Sequence, residues 1–369
     1  MKILLLSNCN NPHTIKWATS LAEKGLDIAV FSLNKCEVTD YEKYTTINIY
    51  DNTLEITRNE GALSKIKYLK VLPELKKIIK EYQPDILHAH YASSYGILGA
   101  LCNFSPFILS VWGTDVFSFP KKSFIHKSIL KYNFKKADKV LSTSHVMKEE
   151  TNLYTSKKIA VTPFGIDTKK FELRKGETLF NKEDIVIGTI KTLEEIYGIE
   201  YLIRAFKVVS DKHKNLPLKL LIVGGGGLEK SLKNLTNELQ IAEKVIFTGN
   251  VPFIKVPVYH NMLSIAVFLS FSESFGVAVV ESSACEKPVI VSNVGGLPEV
   301  VEDGVTGIVV PVKNVDKTVE ALEKLIFNKE LQQKMGKAGR ERVKKLYDWE
   351  ENVQQMIGIY KKELAGKLK

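Results

Sequence analysis

The chain has 369 residues, of which 44% are hydrophobic and 25% charged; it is too long for one ordinary core and too apolar for disorder. Four cysteines without CxxC spacing exclude a disulfide framework and a zinc cluster, and no apolar run approaches the roughly 18 residues that cross a bilayer. The net charge of +10 lies mostly in residues 1–170, which hold 24 Lys and Arg against 16 Asp and Glu, while the remainder holds 28 against 26.

The opening MKILLLSN reads as a strand, Lys2–Ser7. Its apolar run is short for an export signal, so a reducing, cytoplasmic setting is expected. A helical period follows over Thr14–Lys24, then strands at Ile28–Leu33 and Thr46–Tyr50. Residues 64–82 interleave Lys65, Lys67, Lys70, Lys76, Lys77 and Lys80 with Leu, Ile and Val. Strands are expected at Asp85–His90 and Phe107–Trp112. Residues 121–139 then repeat the mixture, with Lys121, Lys122, Lys127, Lys131, Lys135 and Lys136 among Phe, Ile and Leu. Both lysine stretches read as helices with an apolar stripe and a basic face. Such a face is either simply solvated or drawn to an anionic membrane surface. Nucleic acid is the poorer partner, because the cations are nearly all Lys and no nucleic-acid-binding motif accompanies them.

Strands at Lys139–Ser144 and Ile159–Pro163 end the first array, and the turn-rich TPFGIDTKKFELRKGE marks a boundary. A second array follows, with strands at Ile185–Ile190, Leu218–Val223, Val245–Gly249, Ile265–Leu269, Pro288–Ser292 and Gly307–Val310. Helical periods separate them, as at Tyr201–Asp211 and Val315–Asn328, and a last helix runs over Trp349–Leu364. Alternation of this kind implies parallel sheets with helices on both faces, and ligands at the carboxyl ends of strands. The domains expected are 1–170 and 171–348, with a helix over 349–369 packing back on the first.

The most informative stretch is residues 268–310, FLSFSESFGVAVVESSACEKPVIVSNVGGLPEVVEDGVTGIVV. A strand end is followed by Glu273-Ser274-Phe275-Gly276 and a helix that carries Glu281 two turns in. Glycine allows close backbone approach, and a helix N-terminus attracts anions such as a diphosphate. Glu281 can accept bonds from vicinal hydroxyls. Alone, the two acids could equally be a loop acid and a helix-face acid.

With its flanking text the pair resembles the retaining nucleotide-sugar glycosyltransferases of the glycogen-synthase-like group. The resemblance rests on ESFG…E, on PVIVSNVGGLPEVVEDGVTGIVV and on LLIVGGG. PDILHAHYA, SVWGTDVF, ADKVLSTS and PFGIDTKKF extend it over nearly the whole chain. It implies an α/β protein of the GT-B fold, two facing Rossmann-like doubly wound domains with a central cleft. The acceptor side would lie in the first and the nucleotide-sugar donor in the second. Glu273 would bond the donor sugar's hydroxyls, and Phe275, Gly276 and Val277 would present backbone amides. Glu281 would hold the ribose, and the Gly224–Gly227 run, with Gly225 and Gly226 at its centre, would lie on the phosphate side. Gly295-Gly296 is a family turn, as readily structural as ligand-binding.

The sequence departs from that family at the first strand of the second domain. Gly-Arg-Leu and a later Lys-Gly are usual there; here Thr189 takes the Arg position and Tyr197 precedes the later Gly198. Lys191 is the one cation nearby and takes the phosphate role or is a loop lysine. On the acceptor side, His13 begins a helix after the first strand, and His88 and His90 share a strand face, His90 nearer its carboxyl end. His88 reads as a buried, satisfied histidine; His13 and His90 line the cleft or serve structure. Trp112 stands where the family often has His, and Asp115 beside it reads as a sugar or acceptor contact or as a helix cap.

The implied activity transfers a sugar from a nucleotide-diphosphate sugar, UDP by family default, to a sugar or lipid-linked acceptor with retention. It would serve surface polysaccharide or lipid-linked glycan assembly, in the cytoplasm or peripherally at the inner membrane face. The leaving phosphate would take the acceptor proton, so no acid–base pair is called for. No metal or cofactor is expected, since neither HExxH nor a paired-Asp motif is present. An epimerase on the same fold and a noncatalytic nucleotide-sugar-binding protein share most of these features. Donor turnover without acceptor separates them.

Overall fold

The computed structural model of the chain describes residues 1–52 and 68–367. Lys65 and Lys67 of the first lysine stretch lie outside the described residues. The chain divides into two compact units, Met1–Pro163 with Glu351–Lys369, and Phe164–Glu350.

In the first unit the order is β1 (Lys2–Leu6), α1 (Pro12–Glu23), β2 (Asp27–Ser32), β3 (Ile47–Asp51), α2 (Leu72–Tyr82), β4 (Ile86–His90), α3 (Ser94–Cys102), β5 (Phe107–Val111), α4 (Thr114–Phe117), α5 (Phe124–Lys136), β6 (Lys139–Ser142), α6 (His145–Asn152) and β7 (Ile159–Val161). The strands form one parallel sheet in the order β3-β2-β1-β4-β5-β6-β7. β4 and β5 are buried along their whole length, as strands covered by helices on both faces must be. Strand order reverses between β1 and β4, so their carboxyl ends diverge there and leave a crevice.

The second unit runs β8 (Ile185–Ile190), α7 (Ile199–Lys212), β9 (Leu218–Val223), α8 (Glu229–Glu238), β10 (Val245–Phe247), α9 (Val256–Met262), β11 (Ile265–Phe268), α10 (Val277–Ala284), β12 (Val289–Ser292), α11 (Leu297–Val300), β13 (Gly307–Val310), α12 (Val315–Ile326) and α13 (Lys329–Leu346). Its parallel sheet is ordered β10-β9-β8-β11-β12-β13, and its reversal falls between β8 and β11. Each strand expected from the sequence is present, with ends displaced by no more than two residues.

The last helix, α14 (Trp349–Lys367), belongs from Glu351 onward to the first unit. Asn352 donates to the Pro163 carbonyl at 2.8 Å and Gln355 to that of Val161 at 3.1 Å. Tyr360, 1% exposed, places its hydroxyl 2.8 Å from His88 Nδ1, and Ser110 Oγ lies 2.8 Å from His88 Nε2. Both ring nitrogens of His88 are thus partnered inside the sheet. Burial pushes its imidazole down to about 3, so it stays neutral. Tyr360→Phe leaves Nδ1 buried without its partner. It should cost about 1–3 kcal/mol in urea unfolding; an unchanged midpoint would show that α14 is held by apolar packing alone.

Candidate active site

The reversal in the second sheet sets β8 and β11 side by side, and the residues that follow them meet. Lys191, just past β8, places Nζ 2.6 Å from Glu273 Oε2 in the loop after β11. The two side chains are only 16% and 14% exposed, so this is a largely dehydrated ion pair. The Tyr197 ring lies beneath the ammonium, 4.4 Å from Nζ. Tyr197 therefore supports Lys191 from the position where the resembled family carries a cation. Thr189, at the family's Arg position, is 2% exposed within β8.

Glycines let these loops close on one another. Gly224 sits against the Lys191 backbone, Gly225 against the Asn250 side chain and Gly226 against the Leu193 backbone, where a Cβ would collide. The Gly225 N–H donates to Asn250 Oδ1 at 2.9 Å. Gly226 is exposed and anchors Leu193 by close approach. Gly295 (φ 52°) presses on the Glu273 carbonyl, and the Gly296 N–H donates to that carbonyl at 2.9 Å. The Gly295-Gly296 turn thus braces the Glu273 loop from behind.

Phe275 is 1% exposed, its ring edge-on to Tyr347 at 5.3 Å and to Phe164 at 6.1 Å. Anchored so, it can offer a ligand only backbone. Gly276 caps α10 with φ 103°, and Val277 begins the helix, whose leading N–H groups have no intrahelical acceptor. Glu281, on the same helix, is 6% exposed. Its carboxylate lies 3.3 Å from His260 Nε2, and His260 Nδ1 is 2.8 Å from Ser282 Oγ. His260 was not singled out from the sequence. PVYHNML carries no motif, and its partners lie 21 and 22 residues along the chain.

At the reversal in the first unit, His90 is 2% exposed and stacks on Trp112 with centroids 4.5 Å apart. His13, half-buried at the start of α1, meets Trp112 edge-on at 5.9 Å. Burial, aided by Lys16, lowers the His13 imidazole to about 4, and burial lowers His90 well below its usual range. The sequence candidates His13 and His90 thus share one aromatic neighbour, with only His13 partly open. Asp115 does something other than what was expected. It is fully buried, with Oδ2 accepting from Ala92 N at 2.7 Å and Oδ1 from Gly113 N at 2.7 Å and Trp112 N at 3.2 Å. Burial raises its carboxyl above the ordinary value, and these backbone donors pull it back. Asp115 is a clamp joining the loops after β4 and β5, with no oxygen left facing a sugar. Among the described residues no group of three or more His, Cys, Asp or Glu is placed to hold a metal ion, and no helix is long and apolar enough to cross a membrane.

Residues 170–342 match the family described as glycosyl transferases group 1, and residues 2–144 the family described as glycosyl transferase 4-like. The chain is 26% identical over 360 residues to an N-acetyl-alpha-D-glucosaminyl L-malate synthase of Bacillus anthracis, covering 92% of this chain and 90% of that one. It is 30% identical over 253 residues to a capsular polysaccharide biosynthesis glycosyltransferase of Staphylococcus aureus, covering 63% and 64%. Among solved structures it is similar to a sucrose-phosphate synthase of Thermosynechococcus elongatus, with a TM-score of 0.84 at 21% identity, over 99% and 100% of the two chains. It is also similar to Anabaena HepE in complex with UDP, with a TM-score of 0.81 at 17% identity, over 98% and 100%. At such identities the likeness is one of fold, the GT-B class.

The neutral histidines make stability pH-dependent. Their folded values lie below the ordinary 6.5. Between about pH 6.5 and 4 the unfolded chain therefore binds more protons than the native one, and stability falls as pH falls. Each such histidine contributes a slope of about 1.4 kcal/mol per pH unit. Urea unfolding of wild type and His90→Gln between pH 7 and 5 should show a shallower dependence in the variant. Equal slopes would mean that His90 takes up its proton alike in the folded and the unfolded chain.

Proposed function

This chain belongs to the glycosyl transferases of group 1, and we propose that it moves a sugar from a nucleoside-diphosphate donor to an acceptor hydroxyl with retention at the anomeric carbon. The observation that carries this reading is the Lys191–Glu273 pair beside the start of α10, at the reversal of the second sheet. A donor diphosphate offers Lys191 a denser negative charge than one carboxylate. Its arrival frees Glu273 to accept bonds from the sugar hydroxyls. The first N–H groups of α10 face charge of the same sign, and Glu281 takes the ribose hydroxyls. We propose uridine as the base, which the complex of the fold relative HepE with UDP supports.

In the reaction, the acceptor oxygen bonds to the anomeric carbon on the face from which the diphosphate leaves. The bond from that carbon to the phosphate oxygen breaks, and the acceptor proton passes to the departing oxygen. Charge on the diphosphate grows as that bond lengthens, so Lys191 acts more strongly in the transition state than in the ground state. The charge comes from Lys191 and the helix, and the proposal uses no metal.

Lys191→Ala should therefore lower kcat by more than tenfold, at least about 1.4 kcal/mol of barrier, with a smaller change in donor Kd. Glu281→Ala should do the reverse, raising donor Kd through loss of a charged hydrogen-bond partner, about 1.5–3 kcal/mol, with kcat little changed. Steady-state kinetics with calorimetry separate the two. A Lys191→Ala kcat within threefold of wild type would assign the phosphate to another cation.

The acceptor we propose is lipid-linked, in the assembly of a surface polysaccharide such as the likeness to a capsular polysaccharide biosynthesis enzyme supports. So does the surface of α5. The second lysine stretch does carry a basic face, but its apolar residues are not all inward: Phe124 is 83% and Ile125 65% exposed. Lys122, Lys127, Lys131 and Lys135 are exposed as well, while Lys121 pairs with Glu150 at 3.2 Å. An exposed phenylalanine and isoleucine at the start of a helix with exposed lysines suit the headgroup region of an anionic leaflet, where each Lys adds about 1 kcal/mol. The protein should sediment with anionic vesicles at low salt and be released by high salt. Replacing the four lysines with Gln should abolish sedimentation while donor binding persists. Wild type left in the supernatant would favour a soluble acceptor.

A further inference from the structure

We propose that His260 positions Glu281 for the donor nucleotide, an inference that rests on the reading of Glu281 as the ribose contact. His260 is fully buried on α9 and touches α10 twice, through Glu281 and Ser282. A carboxylate accepts and does not donate, so the proton shared with Glu281 sits on His260 Nε2. In the neutral ring the other nitrogen accepts the Ser282 hydroxyl, 2.8 Å away. The relay is thus fixed in direction, from Ser282 to Nδ1 and from Nε2–H to Glu281 Oε2. It selects one tautomer of the ring and one rotamer of the carboxylate.

The setting leaves His260 little other freedom. Phe171 lies edge-on to the imidazole at 5.9 Å. The next residue, Asn261, is tied by Nδ2 to the carbonyls of Glu172 and Pro257, each at 2.9 Å. Among the described residues His260 is the one hydrogen-bond partner of the Glu281 carboxylate. That side chain keeps 8% of its surface open, whereas the histidine keeps none. Two hydroxyls on adjacent ribose carbons need a carboxylate already facing them. One oxygen held from behind by His260 supplies that orientation and leaves the other for the ligand. His260 does not touch the nucleotide; it acts through Glu281.

The test is a double-mutant cycle read as the Kd for UDP by calorimetry, with thermal melting alongside. His260→Ala should raise Kd roughly tenfold, and Glu281→Ala by at least as much. If the histidine acts only through the acid, His260→Ala in the Glu281→Ala background should change Kd by less than about twofold. His260→Gln keeps a donor within reach of the carboxylate and should bind within about threefold of wild type. It also serves as the readout should the alanine variant fail to fold. Additive effects of the two alanine substitutions, or His260→Gln binding as poorly as Glu281→Ala, would overturn the positioning role alone. Wild type that fails to bind UDP, or Glu281→Ala that binds it unchanged, would overturn the donor reading of the site and this inference with it.

Discussion

A lysine and a glutamate held 2.6 Å apart in largely dry surroundings constrain the rest of the second unit. Removing one partner from such a pair strands a charge that costs several kcal/mol to bury. The loops that carry the two residues are therefore built to keep them together. Adjacency of β8 and β11 supplies the nearness. Gly224 and Gly226 let the backbone on the Lys191 side close in, and Gly295 and Gly296 do the same behind Glu273. A methyl group at any of these four positions would meet backbone. These glycines are thus places where the loops carrying the two charges pack against neighbouring backbone.

The same pair explains how a site can be charged without being committed. In the proposed reaction the donor brings a diphosphate to Lys191 and hydroxyls to Glu273, so each residue exchanges one partner for another and neither is left bare. The Tyr197 ring stays under the ammonium in both states and replaces part of its hydration. A second cation at that position would repel Lys191 while the donor is absent. The departure from the family pattern at Thr189 and Tyr197 is thus consistent with a site that uses one lysine, paired when empty.

Much of this was legible in the sequence because strand runs and turn glycines are local signals. The thirteen strands among the described residues are short runs rich in Val, Ile and Leu between polar turns, and tertiary packing moved none by more than two residues. Glu273 and Glu281 were legible through the motif around them. What failed was anything decided by direction. Asp115 stands in a loop beside Trp112, as a sugar-binding acid could. Whether its oxygens meet a ligand or the amides of Ala92, Trp112 and Gly113 depends on how two loops pack. The direction of the Gly225 amide, turned to Asn250, was likewise invisible in the sequence. Phe124 and Ile125 belong to the apolar residues of the second lysine stretch yet are exposed, because the buried face of α5 runs through His126, Leu130, Asn133 and Phe134. His260 has no local signal, since its role exists only once α9 lies on α10.

The two sheets, alike in topology, carry opposite chemistry at their reversals. In the second unit the residues beyond the strands are ions: Lys191, Glu273 and, on α10, Glu281. In the first they are His13, His90 and Trp112, with both imidazoles driven neutral by burial and the one nearby carboxylate, Asp115, turned inward onto amides. A diphosphate needs fixed charge to hold it and to receive the electrons of a breaking bond. An acceptor hydroxyl needs neutral donors and acceptors, and a sugar's apolar face suits an aromatic ring.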